Sequence, residues 1–310
     1  MIQDIFPLHM DNQYKKKAPK KTSRLMVFRE NQILVRKDDK LDFLTYGELE
    51  AWSETEGVEV PQLVFLFSVG EADYFLTELP EAFLAAIASN TVVHSGKEGD
   101  KSGESTEHTK QYEFIRMFAV RARSPKEQVF AAATAWHLYV WYRENQYCGR
   151  CGSRLIHSEK FRMLSCPDCG NQVFPKIAPA VIVGVTDGER ILMTKYANRE
   201  YKRYALIAGF TEIGETVEET VAREVMEEVG LRVKNISYYK SQPWGFDSNL
   251  LLGFFCELDD SEGHTAITMD EEELAEAEWV HYSDVPDDPE GLSLTREMMN
   301  VFKERKLHNR

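Results

Sequence analysis

Glu224, Glu227 and Glu228 occupy positions i, i+3 and i+4 of the stretch GFTEIGETVEETVAREVMEEVGL, which runs from Gly209 to Leu231. On a helix that spacing projects three carboxylates from one face, where like charges repel and destabilise. A cation held among them reverses the penalty, and clustered carboxylate oxygens suit Mg²⁺ or Mn²⁺. A solvated acidic face is the bland competitor. A second constellation has different chemistry. Cys148, Cys151, Cys166 and Cys169 form two CxxC knuckles, a spacing that reads as a tetrahedral Zn²⁺ site. Disulfides or unrelated thiols are the competing reading. A closed four-thiolate site leaves no open coordination position, so its zinc stabilises folding and does not catalyse. The fifth cysteine, Cys256, lies in the apolar run Leu250 to Leu258 and is expected to be an inert buried thiol.

Both constellations need elements to position them. Gly209 to Glu215 reads as a loop in which Gly214 permits the turn that delivers Glu215 to a helix start. The helix is expected from about Thr216 to Val229, with Gly230 as its left-handed stop. Ala222, Val225, Met226 and Val229 would form its sheet-facing stripe, with the carboxylates opposite. Arg223 would orient a neighbouring glutamate through its planar fork. Upstream, Ser124-Pro125-Lys126-Glu127 predicts a capping box opening a helix to about Glu144, which leads into the first knuckle. His137 on that helix reads as a satisfied histidine, not a ligand.

Gly209, Glu215, Arg223, Glu224, Val225, Glu227, Glu228, Gly230 and Leu231 fill every position of G-x5-E-x7-R-E-U-x-E-E-x-G-U, where U is a bulky aliphatic residue. This segment resembles the Nudix box. The resemblance implies divalent metals that bridge pyrophosphate oxygens, offset transition-state charge and lower the pKa of bound water. It also implies Glu224 and Glu228 as principal ligands, and Glu227 as a further ligand or the base. Glu215 either joins the cluster or caps the helix.

Downstream, Ser241-Gln242-Pro243-Trp244-Gly245-Phe246 is similar to the SQPWPFPxS signature of NADH pyrophosphatases, a Nudix branch that also carries a four-cysteine zinc ribbon before the box. Ribbon, box and signature follow in that order from Gln146 to Trp279. The resemblance implies hydrolysis of the pyrophosphate bond of NAD(H) to nicotinamide mononucleotide and AMP, with removal of NAD caps from RNA as an extension. It implies an Ala208 carbonyl and Glu273 as further metal contacts. Phe174 falls where the branch has a tyrosine, and Phe210 is a second stacking candidate. Gln242, Pro243, Trp244, Gly245, Phe246, Asp247, Ser248 and Asn249 would form a nucleotide-recognising wall, with Thr295 and Arg116 as outlying contacts. Edge-strand packing is the bland reading of Trp244 and Phe246. Gly245 and Asp247 replace prolines and Asn249 a serine, which loosens the loop and adds a carboxylate near an anionic substrate. Competing readings are a Nudix hydrolase acting on ADP-ribose or dinucleoside polyphosphates, and a silent nucleotide sensor or ribbon adaptor. The retained glutamates weigh against the silent reading.

The remaining composition frames these expectations. A net charge of −14 disfavours tight nonspecific binding to a phosphate backbone, although Arg150, Arg154, Lys160 and Arg162 lie in the ribbon. No apolar run is long enough to span a membrane, and the first twelve residues do not read as a secretory leader. Zinc-ligating cysteines fit a reducing, cytoplasmic compartment, and the branch resemblance implies a homodimer. Strand-like runs are Arg24 to Phe28, Gln32 to Arg36, Leu63 to Val69, Pro179 to Val185, Arg190 to Lys195, Arg203 to Ala208 and Leu250 to Glu257. Helices are expected near Pro80 to Ala88 and Leu294 to Lys306, and residues 95–110 read as a polar loop. The expected fold is α+β: residues 1–143 as a Nudix-like N-terminal domain, 144–174 as the zinc ribbon, and 175–310 as a mixed-sheet α/β/α sandwich.

Overall fold

The protein's structure, a computed structural model, describes residues 1–89, 112–198, 203–263, 265–287 and 291–308. The predicted 95–110 loop lies outside the described residues. The chain divides into two compact units, one of residues 4–176 and one of residues 1–3 with 177–310.

The first unit contains β1 (Met10–Asp11), β2 (Arg24–Met26), β3 (Phe28–Arg29), β4 (Gln32–Arg36), α1 (Tyr46–Glu56), β5 (Val64–Val69), β6 (Ala72–Leu76) and α2 (Glu81–Ser89). There follow β7 (Tyr112–Arg116), α3 (Met117–Val120), α4 (Lys126–Glu144) and the short ribbon strands β8 (Ile156–His157), β9 (Leu164–Ser165) and β10 (Gln172–Val173). One sheet runs β1-β5-β6-β2, a second β3-β4-β7, and the ribbon sheet β10-β9-β8. Leu25, Leu34, Trp52, Phe75 and Phe83 share the unit's core. α1 starts on a capping box between Thr45 and Glu48, and the Glu48 carboxylate also accepts from Arg36 (2.9 and 3.1 Å) and the Tyr112 hydroxyl (2.8 Å). The expected capping box of α4 does not form. Pro125 is extended (φ −80°, ψ 162°) and is itself the N-cap, which leaves Ser124 one residue too far upstream to reach the helix donors. His137 is satisfied as expected, by the Lys176 carbonyl at 2.7 Å.

The second unit is built from β11 (Ala178–Asp187), β12 (Arg190–Tyr196), β13 (Ile207–Phe210), α5 (Val217–Val229), β14 (Val233–Trp244), β15 (Asn249–Leu258), β16 (Leu274–His281) and α6 (Leu294–His308). The sheet order is β14-β15-β11-β12-β16, and β13 pairs with the first half of β11. β11 and β15 are parallel and the other neighbours antiparallel, so the sheet is mixed. Alternation along the strands sorts the core into two layers. Val181, Val183, Val185 and Leu192 pack with Val221, Val225 and Val229 of α5. Ala180, Ile182, Ile191 and Met193 pack with Leu294, Met298, Met299 and Phe302 of α6. Each buried valine or leucine contributes about 1.5–3 kcal/mol, and together they fix α5 on one face and α6 on the other: an α/β/α sandwich.

The stripe on α5 differs from expectation. Ala222 and Met226 are exposed, and the buried positions are Val221, Val225 and Val229 with Thr220, Glu224 and Glu228. The three valines sit four residues apart and outweigh alanine and methionine in choosing the inward side. That choice turns two glutamates under the helix instead of opposite the sheet.

Candidate active site and zinc ribbon

β13 ends beside β11, and the Thr211 N–H donates to Pro179 O (3.1 Å), which fixes where the following loop leaves the sheet. Gly214 makes the turn at φ +99°, a value open to glycine. Glu215 closes this loop on itself: its Oε2 accepts from Glu212 N (3.1 Å) and Thr220 Oγ1 (3.0 Å). The cap of α5 is Thr216, whose hydroxyl accepts from Glu219 N while the Glu219 carboxylate accepts from Thr216 N (2.7 Å). Glu215 is thus free of capping duty and faces the cluster. The T-x-x-E spacing at 216–219 is the sequence signal of this cap. Gly230 (φ +68°) ends the helix as predicted.

Arg223 organises the carboxylates. Its Nε donates to Glu215 Oε1 (2.6 Å) and its Nη2 to Glu215 Oε2 (3.0 Å) and Phe210 O (2.9 Å). Its Nη1 donates to Glu224 Oε1 and Glu227 Oε2, each at 2.8 Å. One guanidinium therefore spans three carboxylates and a backbone carbonyl, which a lysine's point charge would not do. Arg223 pulls the Glu215 carboxyl down to about 2, helped by the Glu212 N–H. Glu224 moves the other way. Burial raises its pKa, the Arg223 hydrogen bond opposes this, and the charges of Glu227 and Glu273 push it further up.

Gly209 explains how a buried carboxylate fits beneath the helix. A Cβ at this position would lie 1.9–2.1 Å from the Glu224 carboxyl atoms, so only glycine leaves the space. Glu228 is 2% exposed and Glu273 exposed, while Ala208 is one residue before Gly209 on β13. Three glutamates thus gather around one arginine, with the buried Glu228 one turn on from Glu224 and the charge of Glu273 felt by Glu224, a surplus of hard oxygen donors and negative charge that suits a divalent cation. Among the described residues, only the four cysteines bring three or more ligand atoms within 4.8 Å of one another; Arg223 holds the glutamates spread around itself.

In the ribbon, Sγ of Cys148 and Cys169 lie 3.6 Å apart and those of Cys151 and Cys166 3.4 Å. All five cysteines are free, so the disulfide reading fails. Four Zn–S bonds of about 2.3 Å would place tetrahedral sulfurs about 3.8 Å apart, close to the observed separations. The N–H groups of Arg150 and Cys169 point at Cys148 Sγ (3.4 Å) and Cys166 Sγ (3.5 Å), a geometry that favours thiolate, and the Cys148 thiol is lowered to about 6. Trp141, Leu155 and Leu164 pack behind the knuckles. These four cysteines form a structural zinc site.

Residues 176–300 match the NUDIX domain, and residues 143–174 match the NADH pyrophosphatase zinc ribbon domain. The chain carries a NUDIX domain behind a zinc ribbon. Over 162 residues, 52% of this chain, it is 38% identical to the NAD-capped RNA hydrolase NudC of Photorhabdus laumondii, and the match covers 62% of that protein. Over 149 residues, 48% of this chain, it is 40% identical to the NAD-capped RNA hydrolase NudC of Escherichia coli O1:K1, covering 56% of it. The matched stretch spans less than two-thirds of these relatives' own length. A NUDIX hydrolase structure from Nitrosomonas europaea aligns at 22% identity and TM-score 0.44, covering 53% of this chain and 94% of that one.

The downstream signature of the Nudix domain is placed less as expected. β14 alternates, so Gln242 and Trp244 share the inward face while Pro243 points out. Gln242 is fully buried: its Nε2 donates to Leu292 O (2.9 Å) and Gln3 Oε1 (3.1 Å), and its Oε1 accepts from Leu294 N (2.7 Å) at the start of α6. Trp244 is 8% exposed within the α6-side core, its indole N–H donating to Asp247 Oδ2 (2.9 Å), and Phe246 packs on it at 5.1 Å. These side chains, expected in a nucleotide wall, pack and hydrogen-bond within the domain, and Asp247 accepts from the Trp244 indole. Gly245 is buried, Ser248 is left-handed (φ +59°) and bonds through its carbonyl to the Ala178 N–H, and Asn249 and Thr295 are half-buried. Phe210 stays 55% exposed beside the box. Phe174 (56% exposed) and Arg116 (exposed) belong to the first unit.

Proposed function

We propose that this chain hydrolyses the pyrophosphate bond of NAD(H), giving nicotinamide mononucleotide and AMP, and removes NAD caps from RNA. The observation that carries the proposal is the carboxylate cluster: Glu215, Glu224 and Glu227 held by Arg223, the buried Glu224 seated on a glycine that leaves room for its carboxylate, and the buried Glu228 one turn further along the same helix. Glu224 and Glu228 would hold Mg²⁺ or Mn²⁺, with Glu273 and the Ala208 carbonyl as further donors. When bound, the metal supplies Lewis-acid stabilisation of the diphosphate oxygens and an acidified water. Glu227 hangs from Arg223 by one hydrogen bond and is otherwise exposed, which suits a group that accepts a proton or adds a ligand. Glu215, doubly bonded to Arg223, keeps the guanidinium in place. The exposed ring of Phe210 and the half-buried Thr295 are the remaining substrate contacts of this reading within the second unit. A cytoplasmic location and a homodimer complete it: the reduced cysteines support the first, and the branch resemblance the second.

The test is a substrate panel. Purified protein with Mg²⁺ or Mn²⁺ is incubated with NADH, NAD⁺, ADP-ribose, a dinucleoside polyphosphate and NAD-capped RNA, and products are resolved by chromatography. NADH or NAD⁺ should yield AMP, and Glu228→Gln should lower turnover about a hundredfold or more while leaving the melting temperature near wild type. Preferential cleavage of ADP-ribose would replace the proposed substrate, and full turnover by E228Q would remove Glu228 from the metal site.

A further inference from the structure

The acidic chain carries a local reversal of charge. Between residues 146 and 176 the cations are Arg150, Arg154, Lys160, Arg162 and Lys176, and the only carboxylates are Glu159 and Asp168. Both carboxylates are engaged: Glu159 with Lys16 (2.7 Å), and Asp168 accepting from the Ser153 hydroxyl (2.5 Å). Arg150 and Arg154 are exposed and enter no ion pair among the described residues.

Strand register places Tyr147 and Arg154 on one outward face of the ribbon. Tyr147 and Arg154 are antiparallel bridge partners, so their side chains leave the same face. Leu155 points inward at 8% exposure, which by alternation sends Arg154 and Ile156 outward, the latter 52% exposed. Ile156, Ser165 and Gln172 then form one register row across β8, β9 and β10, while Leu164 and Val173 of the next row face the core. Arg150 stands at the tip of the first knuckle, and Tyr147 is 62% exposed. An exposed tyrosine ring sharing its face with one unpaired guanidinium, and a second guanidinium three residues along at the knuckle tip, make a stacking platform with phosphate ligands. That combination suits single-stranded nucleic acid, whose bases are free to stack.

We propose that this ribbon face binds the single-stranded RNA chain of a capped substrate, Tyr147 stacking on a base and Arg150 and Arg154 pairing with phosphates. The inference rests on the NAD-cap reading above and adds to it where the body of the RNA is held. The test uses the full-length, zinc-loaded protein and a fluorescent unmodified RNA oligomer lacking any cap, read by anisotropy from 50 to 200 mM salt. Wild type should bind it in a salt-dependent manner. Arg150→Ala with Arg154→Ala should weaken binding about tenfold and lower the salt slope by about 1.4, two phosphate contacts' worth on a single strand. Tyr147→Ala should weaken it about tenfold with an unchanged slope. R150K with R154K should restore the slope, and zinc content and NADH turnover should match wild type throughout. No binding by the wild type, or equal binding by R150A/R154A, overturns the proposal, as does an equal preference for duplex RNA. Failure of NADH turnover with RNA binding intact would instead sink the catalytic reading and leave this one standing.

Discussion

Gly209→Ala is the most incisive perturbation of the proposed site, because it adds one methyl group and removes nothing. The backbone of Gly209 is not in the left-handed region, so alanine is tolerated there conformationally. The new Cβ would fall 1.9 Å from the Glu224 carboxyl carbon, about half a van der Waals contact distance, and that carboxylate must move by more than an ångström. Movement breaks the 2.8 Å bond from Arg223 Nη1, a charge-assisted contact of about 1.5–3 kcal/mol. Lower unfolded-state entropy returns about 0.4–1 kcal/mol, so the net loss of stability is about 1–2 kcal/mol and the melting temperature falls by a few degrees. Catalysis suffers more: a catalytic group displaced by 1 Å costs about a hundredfold in kcat. Gly184→Ala is the control. It meets the Phe255 ring at 2.8 Å, far from the glutamates in sequence and on the α6 side, and should lower stability without changing kcat. NADH turnover measured beside calorimetry separates the two. A folded G209A enzyme within twofold of wild-type kcat would refute the assignment of Glu224 to the metal site.

Three further outcomes follow from the same geometry. Trp244→Ala removes a core ring and orphans Asp247, so urea unfolding should show a loss of about 3–5 kcal/mol; a raised KM with an unchanged midpoint would return Trp244 to the substrate wall. Glu215 has a folded pKa lowered from 4.5 to about 2, so its contribution is complete above 4.5 and is lost as pH falls towards 2. Glu215→Gln should flatten the pH dependence of stability in that window, and an unaltered acid-unfolding profile would contradict the Arg223 pairing. Cys166→Ser should lower zinc content and melting temperature together, whereas a zinc-free mutant melting like wild type would deny the ribbon a structural role.

The box and knuckles were legible because their chemistry fixes residue type and spacing together. The strands of the second core were legible where apolar runs meet a turn, as at Asp187-Gly188. β14 and β16 are not legible as strands in the sequence, for opposite reasons. The first, VKNISYYKSQPW, is a polar edge strand with an internal proline, and the second, LAEAEWVH, has the glutamate and alanine content of a helix. The inward turn of Glu224 depends on Gly209, a contact between β13 and α5 that no local pattern encodes. The inward side taken by Gln242 and Trp244 is not legible, because a motif states which residues recur, not which side of a strand they take. Alternation with exposed Pro243 would have paired them on one face, but only the packing of α6 decides that this face is the interior.

The interruptions in β14 have a consequence for how the protein behaves in a crowded solution. Its pairing with β15 slips between Lys234 and Ser237 and again between Tyr238 and Lys240, and Pro243 lacks a donor near the end. A sheet border twelve residues long would ordinarily invite another chain to extend it. Here the ladder is broken twice, carries Lys234 and Lys240 and is short of one N–H, so an incoming strand finds no regular template, and the longest strand among the described residues is guarded against fibrillar growth.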